Sequence, residues 1–424
     1  MPVVFSAFFE FVILAIIKSG GTDEVSNLTA TVFILILSFC IIVYSKRNKR
    51  LNKYSKSLII GLLLRLLFLY VDLLAYPRIV LPDGHSDEDM FFGNAINYAL
   101  WGVSRRGTYP KIMGTLFRYI GFNRLYGQFI SMLFSIVALV YLAYSLSELN
   151  VQDSSKTRVY NIACLLPYNA ILSSLFMRET MIYMLLSISF YCFIRWYNTK
   201  KERYYLFSAV LSLLAAIFHS GTIAVLIGYV AIRLIYDNKT ERVHVTFGNI
   251  FITLALAIVV VLILNRNGGT FLSKFNGVDS IEDIAKTSNL GASSYARYVG
   301  NSNNPINLII FTPLRIFFFL FSPVPWMWRG ISDIIAFCFS SLFYLSVVLS
   351  VIKYLHISKQ KNSALVIILF IVALATVFVF AWGTSNAGTA ARHRDKMMTL
   401  FAILWALSLD ENTSQSRKYR RRRI

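Results

Sequence analysis

The sequence predicts an all-α, polytopic membrane fold of about twelve spanning helices, and three observations predict it. Apolar runs of roughly twenty residues, the length that crosses hydrocarbon as a helix, recur along nearly the whole chain. Hydrophobic residues make up 56% of the 424 and the mean hydropathy is +0.59, while charged residues reach 15% against about 25% in an average globular chain. Lys and Arg gather beside the apolar runs, at 46–56, 195–203, 233–242, 353–361 and 417–424, as the positive-inside rule and anionic lipid head groups require. That placement accounts for the net charge of +21 without a nucleic-acid partner.

Taken in order, the expected spans are 3–18, 27–45, 57–75, 122–146, 158–176, 180–196, 204–218, 222–235, 247–264, 330–352, 363–381 and 397–409. The first lacks a basic leader and a clear cleavage site, so it reads as a retained span. With the basic blocks cytoplasmic, both termini fall on the cytoplasmic side. Residues 1–410 then form one helical domain with outer loops 76–121 and 265–303, and 411–424 form a cytoplasmic polybasic tail. The stretch 304–325 carries Pro305, Pro313, Pro323 and Pro325, which break helix continuity, and reads as a re-entrant or broken segment, with a thirteenth span as the alternative.

Within the first outer loop, 88–100 has apolar positions at helical spacing, an amphipathic helix with Asp87 at its first turn. The loop 265–303, around a weak helical piece at 280–287, reads equally as a lid or as an irregular surface loop. Cys40, Cys164, Cys192 and Cys338 lie inside apolar runs without metal or disulfide spacing and read as small core residues. There is no Walker loop, dinucleotide fingerprint, HExxH, EF-hand or CxxC.

Chemistry-bearing residues collect on the expected outer face. Asp83, His85, Asp87, Glu88 and Asp89 come from the first loop, Arg178 and Glu179 from one turn, and His219 from another. Arg315 and Arg329 flank the broken segment, and Arg392, His393, Arg394 and Lys396 close the series. Arg holds phosphoryl oxygens bidentately and stabilises charge developing on a leaving group. A carboxylate or His beside it takes a proton from an attacking hydroxyl. Asp87, Glu88, Glu179 and His219 are therefore the catalytic candidates, and Arg178, Arg315, Arg329, Arg392, His393 and Arg394 the substrate-binding ones. Each has a plainer reading: solvation for the acids, an ion pair for Arg178 and Glu179, packing for His219. Arg65 and Asp72 face one side of the third span, two turns apart, as a structural pair or part of a lipid or proton route. No cofactor is required. A divalent cation at the acidic loop rests on the DxD spacing of Asp87 and Asp89 alone.

Three stretches carry a resemblance. DGHSDEDMFFGNAINYA is similar to the acidic first outer loop of membrane glycosyltransferases. LPYNAILSSLFMRETMIYMLLSISFY with AAIFHSGTIAVLIGY resembles the arginine-bearing and His-Ser turns of extracellular polysaccharide polymerases, and SPVPWMW with GTSNAGTAARHRDKMMTLFAIL resembles the late prolines and Arg-His-Arg turn of uncharacterised members of the same broad class. The chain thus resembles bacterial polytopic glycan-assembly proteins: polyprenyl-linked glycosyltransferases and O-antigen or exopolysaccharide polymerases. The acidic loop follows the third expected span, where the GT-C transferases have it after the first.

The resemblance implies a multi-pass enzyme of the bacterial cytoplasmic (inner) membrane. It would transfer or polymerise saccharide from a polyprenyl (di)phosphate donor on the outer face. A transporter or flippase for lipid-linked glycan and a single-sugar side-branch transferase are the alternatives. The implied partners are a polyprenyl-linked saccharide, an acceptor glycan, other polysaccharide-assembly proteins, and anionic phospholipid at the basic loops and tail.

Overall fold

The structure is a computed structural model that describes residues 23–237 apart from 86 and 106, then 240, 242–244, 246–249, 251–253, 255, 294–295, 298–299, 305–357 and 363–421. Its contacts divide the chain into two compact units, Met1–Ser147 with Tyr160–Met184, and Glu148–Val159 with Leu185–Ile424. Both are helical. A two-residue antiparallel pairing, Tyr236–Asp237 with Arg242–Val243, is the one named sheet among the described residues.

Unit 1 begins with two long apolar helices, α1 (Asp23–Arg47) and α2 (Ser55–Ala75). Next come the packed pair α3 (Asp87–Trp101) and α4 (Thr108–Ile120), and then α5 (Arg124–Glu148). Gly114 permits the α3–α4 packing, because a Cβ there would lie 2.4 Å from the carbonyl oxygen of Ala95. The α5 start is fixed by Asn123, whose Oδ1 accepts from the amides of Leu125 (2.8 Å) and Tyr126 (3.3 Å) and fills an N-cap role. The expected span 158–176 is not one helix. It divides at Leu166 between α6 (Asp153–Leu165) and α7 (Pro167–Ser173), since Pro167 lacks the amide that would continue the first. Arg65 and Asp72 share the buried face of α2 but do not pair with each other. Arg65 donates to Ser135 Oγ, to the Gly61 and Cys164 carbonyls and to Asn169 Oδ1, whereas Asp72 accepts from Gln128.

Unit 2 contains most of α8 (Glu179–Thr199), then α9 (Glu202–Phe218), α10 (Ile223–Ile235), α11 (Pro305–Phe321), α12 (Ile331–Ala336), α13 (Leu342–Ile357), α14 (Ser363–Trp382), α15 (Ala387–Asp395) and α16 (Met398–Arg421). The broken segment expected at 304–325 takes a different form. α11 continues through Pro313, and the chain turns only after Phe321 into a short 3-10 turn at Pro325–Met327. The helical path of α16 extends through the polybasic stretch to Arg421.

The twelve-span expectation is corrected. Among the described residues five helices are long and apolar enough to cross a membrane, by length and composition: Ser26–Arg47, Asn52–Ala75, Arg124–Glu148, Ile331–His356 and Ala364–Trp382. Ser220–Ile235, Ile309–Phe321 and Met398–Leu409 are shorter apolar helices. Length is one physical reason, breaks such as Leu166–Pro167 another. A third is that apolar residues on helices such as α5 and α16 pack around buried ionic groups, including Arg65, Asp72, Glu88 and Arg394. The inside–outside assignment of the loops, the cytoplasmic termini and the multi-pass inner-membrane location rested on the twelve-span count and fall with it. Leu28, Val32, Leu35 and Phe39 of α1 and Leu63, Leu67 and Leu74 of α2 stand exposed. The expected span 3–18, the piece 280–287, and most of the expected span 247–264 and of the loop 265–303 lie outside the described residues.

Two expectations follow from the packing. Gly114→Ala should lower the unfolding free energy by about 1–3 kcal/mol, read from chemical denaturation, because the added methyl meets backbone that cannot turn aside. Burial pushes the Cys164 thiol up to about 12, with Arg65 opposing, while Cys338 is exposed. Iodoacetamide should therefore modify Cys338 in the folded chain and Cys164 only after denaturation, as peptide mass spectrometry would show.

Candidate functional site

Among the described residues each unit has a polar centre that includes candidate site residues. In unit 1, Glu88 at the start of α3 is fully buried. Its Oε1 accepts from the Phe176 amide (2.7 Å) and from Gln128 Nε2 (2.9 Å). Its Oε2 accepts from Arg124 Nη2 (2.6 Å) and, at 3.5 Å, faces the amide of His85. Donors thus meet both oxygens of a carboxylate that is sealed from water, as a buried polar group requires. Arg124 also donates to Asp89 Oδ1 (2.6 Å), and its Nη2 lies 3.7 Å from Asp72 Oδ2. Arg124 and Gln128 stand four residues apart on α5, so both reach one side of the helix.

The loop from Tyr76 to His85 folds over this centre. The His85 ring stacks on Tyr76, with centroids 3.6 Å apart, and places Nε2 at 3.7 Å from Asp72 Oδ1 and Nδ1 at 3.6 Å from Asp89 Oδ2. Asp83 accepts from the Tyr168 hydroxyl at 2.8 Å. Nearby, Tyr109 hydrogen-bonds Ser131 at 2.8 Å. Burial pushes the Tyr109 phenol well up, and the charges of Glu179 and Glu88 add to that against the Ser131 hydrogen bond, so the hydroxyl keeps its proton.

In unit 2, Arg394 is fully buried and donates to the carbonyls of Phe319 and Ser322, each at 2.8 Å. These oxygens close the last turn of α11, where a cation suits the negative end of the helix. Asn386 caps α15 by accepting from Gly388 N (2.8 Å) and Thr389 N (3.3 Å), which sets the direction of the helix carrying Arg392, His393 and Arg394. Lys396, 1% exposed, places Nζ 3.0 Å from His393 Nδ1. The His393 ring meets His219 edge-on at 4.6 Å, and His219 Nδ1 accepts from Gly221 N at 3.2 Å. Phe380 packs against both imidazoles. Tyr295 lies beside this turn, taking Ser385 O on its amide (2.9 Å) and giving its hydroxyl to Thr384 O (3.1 Å). Burial pushes the Tyr295 phenol well up, with the cations Arg394 and Arg315 opposing.

The residues expected to form one outer site are thus distributed between the units. Glu88 lies within the unit-1 centre, and Asp87 is the first residue of α3 beside it. In that unit the Arg178 guanidinium lies over the Phe91 ring at 5.5 Å, with its Nε 3.7 Å from Glu179 Oε1. In unit 2 His219, His393 and Lys396 come together, while Arg394 reaches the end of α11 and Arg392 lies half-buried on α15. Arg315 is buried in α11, while Arg329 is exposed and its amide bonds Asp333 Oδ2 at 2.9 Å. Sequence reasoning passed over Arg124 and Gln128 altogether. Their i, i+4 spacing at the polar end of an apolar run was the available signal.

No known family, curated protein or solved structure matches the chain. Among the described residues no group of three or more His, Cys, Asp or Glu is placed to hold a metal ion. The resemblance to glycan-assembly proteins is therefore corrected, and with it the enzymatic transfer or polymerisation of lipid-linked saccharide and both alternatives, the flippase or transporter and the side-branch transferase. The transfer reading rested on that likeness and on an outer face built by twelve spans, and the transporter reading on the broken 304–325 segment, whereas among the described residues five helices have that length and apolarity and α11 runs on through Pro313.

Removing one partner of the unit-1 centre exposes its cost. Arg124→Ala leaves the buried Glu88 and Asp72 carboxylates without their shared cation, and the unfolding free energy should fall by about 3–5 kcal/mol. Urea denaturation of the variant beside the native chain measures it.

Proposed function

We propose that unit 2 binds a small oxyanion, a phosphate or a carboxylate, at the centre formed by His219, His393 and Lys396. The observation that carries this reading is the Lys396 ammonium, 1% exposed, set against His393 Nδ1 at 3.0 Å. A lysine donates and never accepts, so neutral His393 carries its own proton on Nε2. His219 Nδ1 is engaged by the Gly221 amide, which likewise leaves its proton on Nε2. One ammonium and two ring N–H donors therefore come from a small region between the α9–α10 turn and the end of α15. Arg392 adds a guanidinium from the same turn, half-buried. Donors of this kind hold an oxyanion through charge-assisted hydrogen bonds. The reading is one of binding, with no bond made or broken.

Calorimetric titration of the full chain with inorganic phosphate, sulfate and acetate tests it. Saturable binding is expected, weakened about tenfold or more in Lys396→Met, since a hydrogen bond to a charged group contributes about 1.5–3 kcal/mol. Far-UV circular dichroism and the thermal midpoint confirm that the variant is folded. Equal affinity in folded Lys396→Met, or no affinity for any of the three anions in the native chain, overturns the proposal.

A further inference from the structure

The unit-1 centre contains more acid than its half-buried cation can balance. Asp72 and Glu88 are both buried, Asp89 stands at their edge, and Arg124 is the guanidinium they share. Glu88 has the stronger claim on it, at 2.6 Å against 3.7 Å for Asp72. What Asp72 receives is one amide hydrogen from Gln128 at 2.7 Å, on Oδ2. Its Oδ1 is buried with no hydrogen bond, and so is His85 Nε2, 3.7 Å away. That separation is beyond hydrogen-bond length, so the approach is one of charge and not of a hydrogen bond.

The loop that brings His85 there is under conformational load. Asp83 and His85 occupy the left-handed region, at φ +66° and +54°, where residues with a side chain are uncommon. Gly84 between them packs so closely that a Cβ would stand 3.1 Å from Asp72 Oδ1. Backbone of this sort persists only while its surroundings hold it. The anchors are the His85–Tyr76 stack, the Tyr168 hydroxyl on Asp83, the Gly84 amide on Leu81 O (2.9 Å), and the Asp72–His85 approach.

We propose that the Asp72–His85 pair is a proton-binding site that latches the 76–85 loop onto unit 1. With a proton on the pair, Asp72 and His85 together carry no net charge and the loop is seated. When the proton leaves, two buried carboxylates face one guanidinium, and the loop lifts to let water reach Asp72. The charged and titratable groups against Asp72 are Glu88 from α3, Arg124 with the Gln128 amide from α5, and His85 from the loop itself, and Asp89 of α3 stands on the far side of that ring, 3.6 Å from His85 Nδ1. Glu88 is the further acid among them, and its charge favours the protonated pair. Burial and then the Glu88 charge push the Asp72 carboxyl up, against Gln128, Arg124 and His85.

The sign follows from that direction. The seated loop raises the Asp72 value above that of the water-exposed carboxyl, so its stabilisation is present at low pH and lost as pH rises through the seated-state value.

Hydrogen–deuterium exchange of the full chain tests the latch, with rates corrected for intrinsic exchange and with α5 as internal reference. Protection across 76–85, reported by the hydrogen-bonded amides of Ile79 and Gly84, should be greatest at low pH and fall about tenfold or more as pH rises from the ordinary carboxylate value of about 4 to about pH 7, the change that one unit of pKa difference between seated and lifted loop produces. Asp72→Asn, neutral at every pH, should keep the loop protected and flatten the profile. His85→Gln, which retains a polar side chain without the titrating ring, should flatten it as well and serves if Asp72→Asn folds poorly. A flat profile in the native chain, or an unchanged slope in either folded variant, overturns the latch.

Discussion

A single carboxylate, that of Glu88, imposes the arrangement of unit 1. Sealed from water, it is tolerable only while donors surround it, and they come from distant parts of the chain: Arg124 and Gln128 from α5, and the Phe176 amide from the turn after α7. α3 therefore cannot slide along α5, because a shift of one residue would strip those donors away. Asn123 fixes the first turn of α5 and so the height at which Arg124 meets Glu88. Gly114 lets α4 lie close enough to cover α3. The apolar packing supplies most of the stabilisation, and the buried ion sets the register.

Unit 2 uses a buried cation for a similar purpose. The Arg394 guanidinium spans Phe319 O and Ser322 O at the end of α11, and the Arg394 carbonyl accepts the Tyr344 hydroxyl from α13 at 2.7 Å. Three helices are thereby fixed at one residue. Beside that fixed point the imidazoles of His219 and His393 are held by Phe380 and by the Lys396 ammonium, so donors on separate helices meet with little freedom to rearrange. Preorganisation of that kind lowers the ordering cost of binding a ligand.

Local features of the chain were legible where local physics decides them. The apolar runs 27–45, 57–75 and 363–381 fall within α1, α2 and α14, and the periodic stretch 88–100 falls within α3. The number of spans was not legible, because a run such as 158–176 has the composition of one helix and the geometry of two, with Pro167 at the junction. The basic residues of 392–396 were visible as a cluster, but their surroundings were not. Arg394 read as a ligand for phosphate, and its partners are backbone carbonyls more than seventy residues earlier, which no side-chain pattern announces. Asp72 showed as an ionic residue in an apolar helix. Its neighbours His85 and Gln128 became evident only with the loop and α5 in place, since pairing across such separations depends on how helices pack.

The Arg394 junction has a mechanical consequence. The 383–396 turn is tied through one guanidinium to the last carbonyls of α11 and through one carbonyl to α13, so it has no independent hinge. Any displacement of His393 or Lys396 must be shared with the ends of two other helices, which makes the turn behave as a lever arm more than as a loop. A perturbation near Ser322 or Tyr344 is thus felt at the imidazoles without touching them.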